Sequence, residues 1–204
     1  MKTAAAILFY AAATLGASAA ILDELSGAAA ECSAVQMRVS QEKFSEFFDA
    51  PVKSLLDITV SFGGKMRIQT LQPFEAVSIF DGENFARYEK DGGKWRRLSD
   101  ANPAMAKLVF GQMSKLYTGG VSASLYEIRE ESDTVILVPK NVQARKFVRE
   151  IRISTELKDG RRSLKKITVS DADGDSTQMG VLSQNLLRQQ PDAFDINRPE
   201  PPEK

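Results

Sequence analysis

No histidine occurs among the 204 residues, and there is a single cysteine, Cys32. The first absence removes Ser-His-Asp and Cys-His catalysis and imidazole-based zinc sites. The second removes any intramolecular disulfide. Lipidation of Cys32 would need a small residue just before it, and Glu31 stands there, well past the apolar run of the leader. Cys32 therefore reads as a partly buried thiol at the start of the first strand. There is no glycine-rich phosphate loop and no serine in a nucleophile-elbow sequence. Neither sign of charge is in excess, with 27 Lys+Arg against 27 Asp+Glu. That balance argues against a nucleic-acid binder, which needs a basic face for phosphates. A long hydrophobic run is also missing. The longest, Ala4 to Leu15, has about 12 residues, short of the roughly 20 that span a bilayer. The expectation is a protein that is not an enzyme and holds no cofactor and no metal.

What is present begins with a leader. Lys2 precedes the apolar run, and Ala17-Ser18-Ala19 follows it in the small-x-small pattern read by signal peptidase. Residues 1–19 are expected to be a signal peptide, removed after Ala19, so that the mature protein is exported. Loss of Lys2 leaves 26 basic side chains against 27 acidic ones. The remainder suits one domain, residues 20–199, with a disordered tail at 200–204.

The periodicity then predicts a short helix over Ile21–Glu31 and a series of strands in period two. Val35, Met37 and Val39 alternate with polar residues, and a parity shift at Phe44 and Phe48 suggests a bulge near Gln41–Lys43. Ile58, Val60 and Phe62 run into Gly63-Gly64, a hairpin turn leading to Met66 and Ile68. One strong helix interrupts the sheet. Asn102 can cap it, Pro103 fits its first position, and Ala104 to Tyr117 propagate it. Strands then resume to the end, with Phe147, Ile151 and Ile153 read as one face, and the chain is expected to lie loose after Ile196. The fold class is mainly β (α+β): a single antiparallel sheet that must curl to bury its apolar face.

Three clusters invite a chemical reading. Asp171, Asp173 and Asp175 alternate as calcium ligands do, but Gly174 is misplaced for an EF-hand loop and no glutamate follows, so a hairpin turn explains them. Lys140, Arg145, Lys146, Arg149 and Arg152 form either a solvated face or a docking patch. Met105, Met113 and Met179 line either a pliable cavity or a plain core.

Several phrases in order resemble the LolA family of periplasmic carriers of outer-membrane lipoproteins. They are Gln41-Glu42-Lys43, Pro51-Val52-Lys53-Ser54, and the stretch Met66 to Pro73. Ser78-Ile79-Phe80-Asp81-Gly82 with Tyr88 follows, then Leu137-Val138-Pro139-Lys140. Ile167 to Asp171 with Gly174 and Thr177, and finally Asn185, Phe194 and Pro199, complete the series. The resemblance runs over about residues 33–199. It departs where the family carries a lid-holding arginine, since Phe62-Gly63 stands there, and where the family has a tryptophan, here Ile68.

The resemblance implies a strongly curved, open half-barrel closed by helices that act as a lid. It implies a monomer that carries acylated lipoprotein or another lipid, receives it from an inner-membrane extractor and passes it to an outer-membrane acceptor. Val60, Phe62, Met66 and Ile68 are then expected to contact acyl chains, with Val77, Ile79, Phe147, Ile151 and Met179 from later strands. Leu108 and Met113 would be the helix's contribution. The competing reading is an outer-membrane-associated sensor or assembly module that uses the same half-barrel without transporting lipid.

Overall fold

The computed structural model describes residues 20–29, 32–98, 103–189 and 191–200, with only the backbone described at 28–29 and 103–109. The leader, the Asn102 cap, residues 201–204 and the side chains of Met105 and Leu108 lie outside the described residues. Helix α1 (Ala20–Ala29) is followed by six strands: β1 (Ala34–Phe44), β2 (Val52–Ser61), β3 (Met66–Gln72), β4 (Ala76–Phe80), β5 (Phe85–Asp91) and β6 (Lys94–Arg97). Helix α2 (Pro103–Thr118) then leads to β7 (Tyr126–Glu131), β8 (Thr134–Pro139), β9 (Val148–Lys158), β10 (Arg161–Asp171) and β11 (Ser176–Leu187).

All strands join one antiparallel sheet in the order β6-β5-β4-β3-β2-β1-β11-β10-β9-β8-β7. The first and last strands of the chain pair at its centre, so two meandering wings extend from the β1–β11 ladder. The ends, β6 and β7, do not meet, and the barrel stays open. Val35, Ile58 and Met66 of one wing and Leu137, Ile153 and Ile167 of the other enter one buried cluster with Leu25 of α1 and Tyr117 of α2. The sheet curls around the two helices because its inner face is apolar on both wings and must be covered.

Alternation dictates most of this. In β1, Val35, Met37 and Val39 are buried while Gln36 and Arg38 are exposed. Register carries the pattern across, with Met37 opposite Ile58 and Ile58 opposite Ile68. The Gly63-Gly64 turn is a hairpin, and Gly64 sits at φ +88°, a conformation that favours glycine. The bulge expected near Gln41–Lys43 is elsewhere. Val39 pairs with Val181 and Arg38 with Ser183, so the extra residue is Leu182 on β11. Phe44 ends its strand and Phe48 lies exposed in the following loop, which is why their parity misled.

The outer face has a smaller core. Val77, Ile79, Ala86 and Tyr88 pack together, and Ile196 covers them. The chain does not lie loose after Ile196. Arg67, only 4% exposed, donates from its guanidinium to the carbonyls of Arg198, Pro199 and Glu200 at 3.2, 2.7 and 3.0 Å. Tyr88 Oη donates to the Ile196 carbonyl at 2.7 Å. Residues 191–200 thus form a strap across the outside of β3–β5.

Candidate functional site

The inner face gathers most of the residues expected to contact acyl chains. Val60, Met66, Ile151 and Met179 are buried in its cluster, and Phe62, Ile68 and Met113 pack against it. Two strands depart from expectation. Met66 faces Phe80 and Ile68 faces Ser78 across β3–β4, so Val77 and Ile79 point to the opposite, strap-covered face. Valine, isoleucine and phenylalanine occupy both parities of β4, and only the pairing with β3 tells them apart. Phe147 is 71% exposed. Ser170 pairs with Glu150 but Asp171 with Val148, so Arg149 is a bulge that turns Val148 inward and leaves Phe147 outside.

Phe80 and Phe85 reach inward to Phe110 of α2, with ring centroids at 6.3 and 4.8 Å. The sequence reading missed this aromatic cluster, although the lone apolar parity of Phe80 against Val77 and Ile79 was a signal for it. Tyr117 is buried, donates to Met179 Sδ at 3.3 Å, and burial pushes its phenol well above the ordinary value. It therefore stays protonated within the inner cluster.

Helix α1 covers this face with Ile21, Leu22 and Leu25. Among the described residues, few polar ties hold it. The Ile21 N–H donates to Glu130 Oε1 at 3.1 Å, and Ser26 Oγ donates to the Thr118 carbonyl at 3.3 Å. Arg162, on β10, has a side chain only 10% exposed. Its Nε donates to the Glu24 carboxylate of α1, while Nη1 donates to Asp133 Oδ1 at 2.8 Å and Thr155 Oγ1 at 2.9 Å. Where α2 ends, Gly119 has φ +74°, and a Cβ there would sit 2.6 Å from the Leu22 carbonyl oxygen. Only glycine allows the two helices to approach this closely.

A cleft among the described residues reaches the inner face. β10 and β11 pair from Lys166–Gly180 to Ser170–Ser176 and then part. Below that point β10 stays with β9 and β11 with β1. The seam between them is a cleft of about 570 Å³, floored by Leu25, Val35, Phe62, Tyr117 and Leu186. Lys158, Arg161 and Gln184 stand at its sides, and the Oε1 of Gln184 is buried without a hydrogen-bond partner. A second cleft of about 520 Å³ adjoins it through Arg161, Arg162 and Leu186 and includes Arg188 and Cys32. Nothing in the alternation of either strand reports this split, because each keeps a regular neighbour on its other edge.

Asp171, Asp173 and Asp175 belong to the β10–β11 turn, where the Asp171 N–H donates to the Asp175 carbonyl at 2.8 Å. The basic cluster sits on the β8–β9 loop and β9. Lys140 there is anchored to the Ala123 carbonyl at 2.8 Å, and Arg152 pairs with Glu150 at 2.8 Å.

Comparison with solved structures finds similar chains at low identity. A LolA superfamily protein from Nitrosomonas europaea shares 11% identity at a TM-score of 0.42, covering 86% of this chain and 95% of that one. The lipoprotein LppX from Mycobacterium tuberculosis shares 14% at a TM-score of 0.43, covering 86% and 98%. A chain of the MucA/MucB complex from Pseudomonas aeruginosa shares 15% at a TM-score of 0.46, covering 83% of this chain and 57% of that one. No curated protein sequence matches. The decisive match is to a sequence family, described as outer membrane lipoprotein carrier protein LolA, and it takes in residues 31–197. The chain belongs to the LolA family.

Proposed function

We propose that this protein is exported to the periplasm with cleavage after Ala19, and that it there carries acyl chains of lipoproteins or other lipids between the inner and outer membranes. The observation that carries this reading is the inner face itself: apolar on both wings, and covered by a short helix with few polar ties. Family membership supports it. An inner-membrane extractor would load the monomeric carrier and an outer-membrane acceptor would unload it. Among the described residues no helix is long and apolar enough to cross a membrane.

The magnitudes allow cargo to shift the helix. Burial of Ile21, Leu22 and Leu25 stabilises α1 by about 1.5–3 kcal/mol each. An acyl chain of about 12 methylenes offers about 10 kcal/mol at about 0.8 kcal/mol per methylene. The two terms are of similar size, so α1, the low-stability element, can shift to let cargo in beneath it.

A second reading, the sensor or assembly module, is favoured by one observation. At rest the inner face is filled by helix side chains, while Phe47, Phe74 and Phe147 stand 91%, 78% and 71% exposed on loops at one end of the sheet. Such a fringe suits a protein partner.

Native mass spectrometry of the protein purified from a bacterial periplasm, with lipid extraction of the same sample, separates the two. The carrier reading expects an adduct of acyl-chain mass. A clean apo mass that persists after incubation with lipids and an acylated peptide would sink it and favour the module.

A further inference from the structure

We propose that the seam between β10 and β11 is a binding site for an amphiphile with an acyl tail and an anionic phosphate head. The proposal rests on the acyl-carrier reading and adds to it the place of entry and the chemistry of the head. The seam is a wedge. Its apex is the Lys166–Gly180 pair, and Arg161 lies five residues further down β10, about 17 Å away at about 3.3 Å per residue. The floor offers an aliphatic and aromatic path under α1, through Leu25, Tyr117 and Leu186.

The mouth is cationic. Lys158, Arg161 and Arg188 line the two adjoining clefts, and none of the three forms an ion pair among the described residues. Two acids also line the first cleft. Glu156 is 3.9 Å from Lys165, Glu24 in the second cleft is taken up by Arg162, and among the described residues that leaves Asp159 opposite the cations. Arg162 is not available, because Glu24 and Asp133 hold it. Guanidinium groups match a phosphate's oxygens in geometry as well as charge. The unpartnered Gln184 Oε1 adds an acceptor on the seam wall for a hydroxyl or N–H of the linker between tail and head.

The test is calorimetric titration of the protein with a short-chain phosphatidylglycerol below its micellar concentration, the matching uncharged diacylglycerol, and glycerol 3-phosphate. The Arg161→Gln/Arg188→Gln double variant is run beside the wild type. Both positions are exposed, so the variant keeps its fold, and its unchanged diacylglycerol affinity proves it. The expected result is tighter binding of phosphatidylglycerol than of diacylglycerol, lost by about tenfold per arginine in the variant. Equal loss for both lipids, or no loss, overturns the proposal. Glycerol 3-phosphate binding as tightly as the phospholipid also overturns it, since the seam would then be a plain anion site. If the wild type binds diacylglycerol with no preference for the phosphate head, this proposal falls and the carrier reading stands. If it binds neither lipid, this proposal falls, and the acylated peptide of the mass-spectrometric test decides the carrier reading.

Discussion

Arg162 of β10 donates its Nε to the carboxylate of Glu24, so helix α1 is tied by a charged hydrogen bond to the same strand that opens the seam. The arginine is itself held by Asp133 and Thr155, and it reaches α1 from a fixed position. Arg162→Ala is expected to free α1 and to cost about 1–3 kcal/mol, the range of a charged hydrogen bond. Hydrogen exchange should rise at residues 20–29 and stay unchanged in β1 and β2. Unaltered protection of α1 would show that apolar packing alone holds it.

Gly119 marks the closest approach of the two helices. Gly119→Ala places a methyl 2.6 Å from the Leu22 carbonyl oxygen in a backbone conformation at φ +74°. Thermal unfolding is expected to register a loss of about 1–3 kcal/mol from backbone strain and helix separation. A melting temperature equal to the wild type's would mean that α1 already stands away from α2 in solution.

Ile68 packs against the inner cluster from β3 without being fully buried. Ile68→Glu is expected to abolish lipid binding while circular dichroism still reports the sheet, since an unpaired carboxylate on that face resists contact with an acyl chain. Wild-type binding in the folded variant would remove Ile68 from the lining.

The outer strap depends on Arg67. Burial lowers the affinity of its guanidinium for its proton, and three strap carbonyls accept its hydrogen bonds. Arg67→Ala is expected to lower stability by about 2–3 kcal/mol and to raise hydrogen exchange at residues 193–200. If exchange there does not change, Tyr88 and the apolar contact of Ile196 hold the strap unaided.

Asp171 has a carboxyl raised above its ordinary value, chiefly by burial, with Lys43 opposing and Asp175 and Asp173 adding to the rise. A raised acid binds its proton more readily in the folded state. Its stabilising contribution is full below the unfolded carboxylate range and is lost as pH climbs through the folded value. Asp171→Asn should therefore melt no lower than the wild type at about pH 7, and the wild type should gain on it as the solution is made acidic. A wild type that loses ground in acid would assign Asp171 a favourable partner when ionised.

Alternation and composition were enough for much of this molecule. Period two in β1 and β2 placed Val35, Met37, Val39, Ile58 and Val60 on one buried face. The Gly63-Gly64 pair marked a hairpin, and the apolar stripe around Leu116 marked a helix that packs inward. These features are local, and a side chain's parity or helical phase is set by the residues beside it. The tertiary structure decided the rest. Large apolar residues stand on both parities of β4, so its face was set by the register with β3, which sent Val77 and Ile79 outward and Phe80 inward. Bulges at Arg149 and Leu182 each flip a face with one extra residue, and the extra residue has no signature of its own. The seam exists because β10 and β11 each keep a partner on the far side after they part from one another. That choice belongs to pairing across the sheet, and no period along either strand records it.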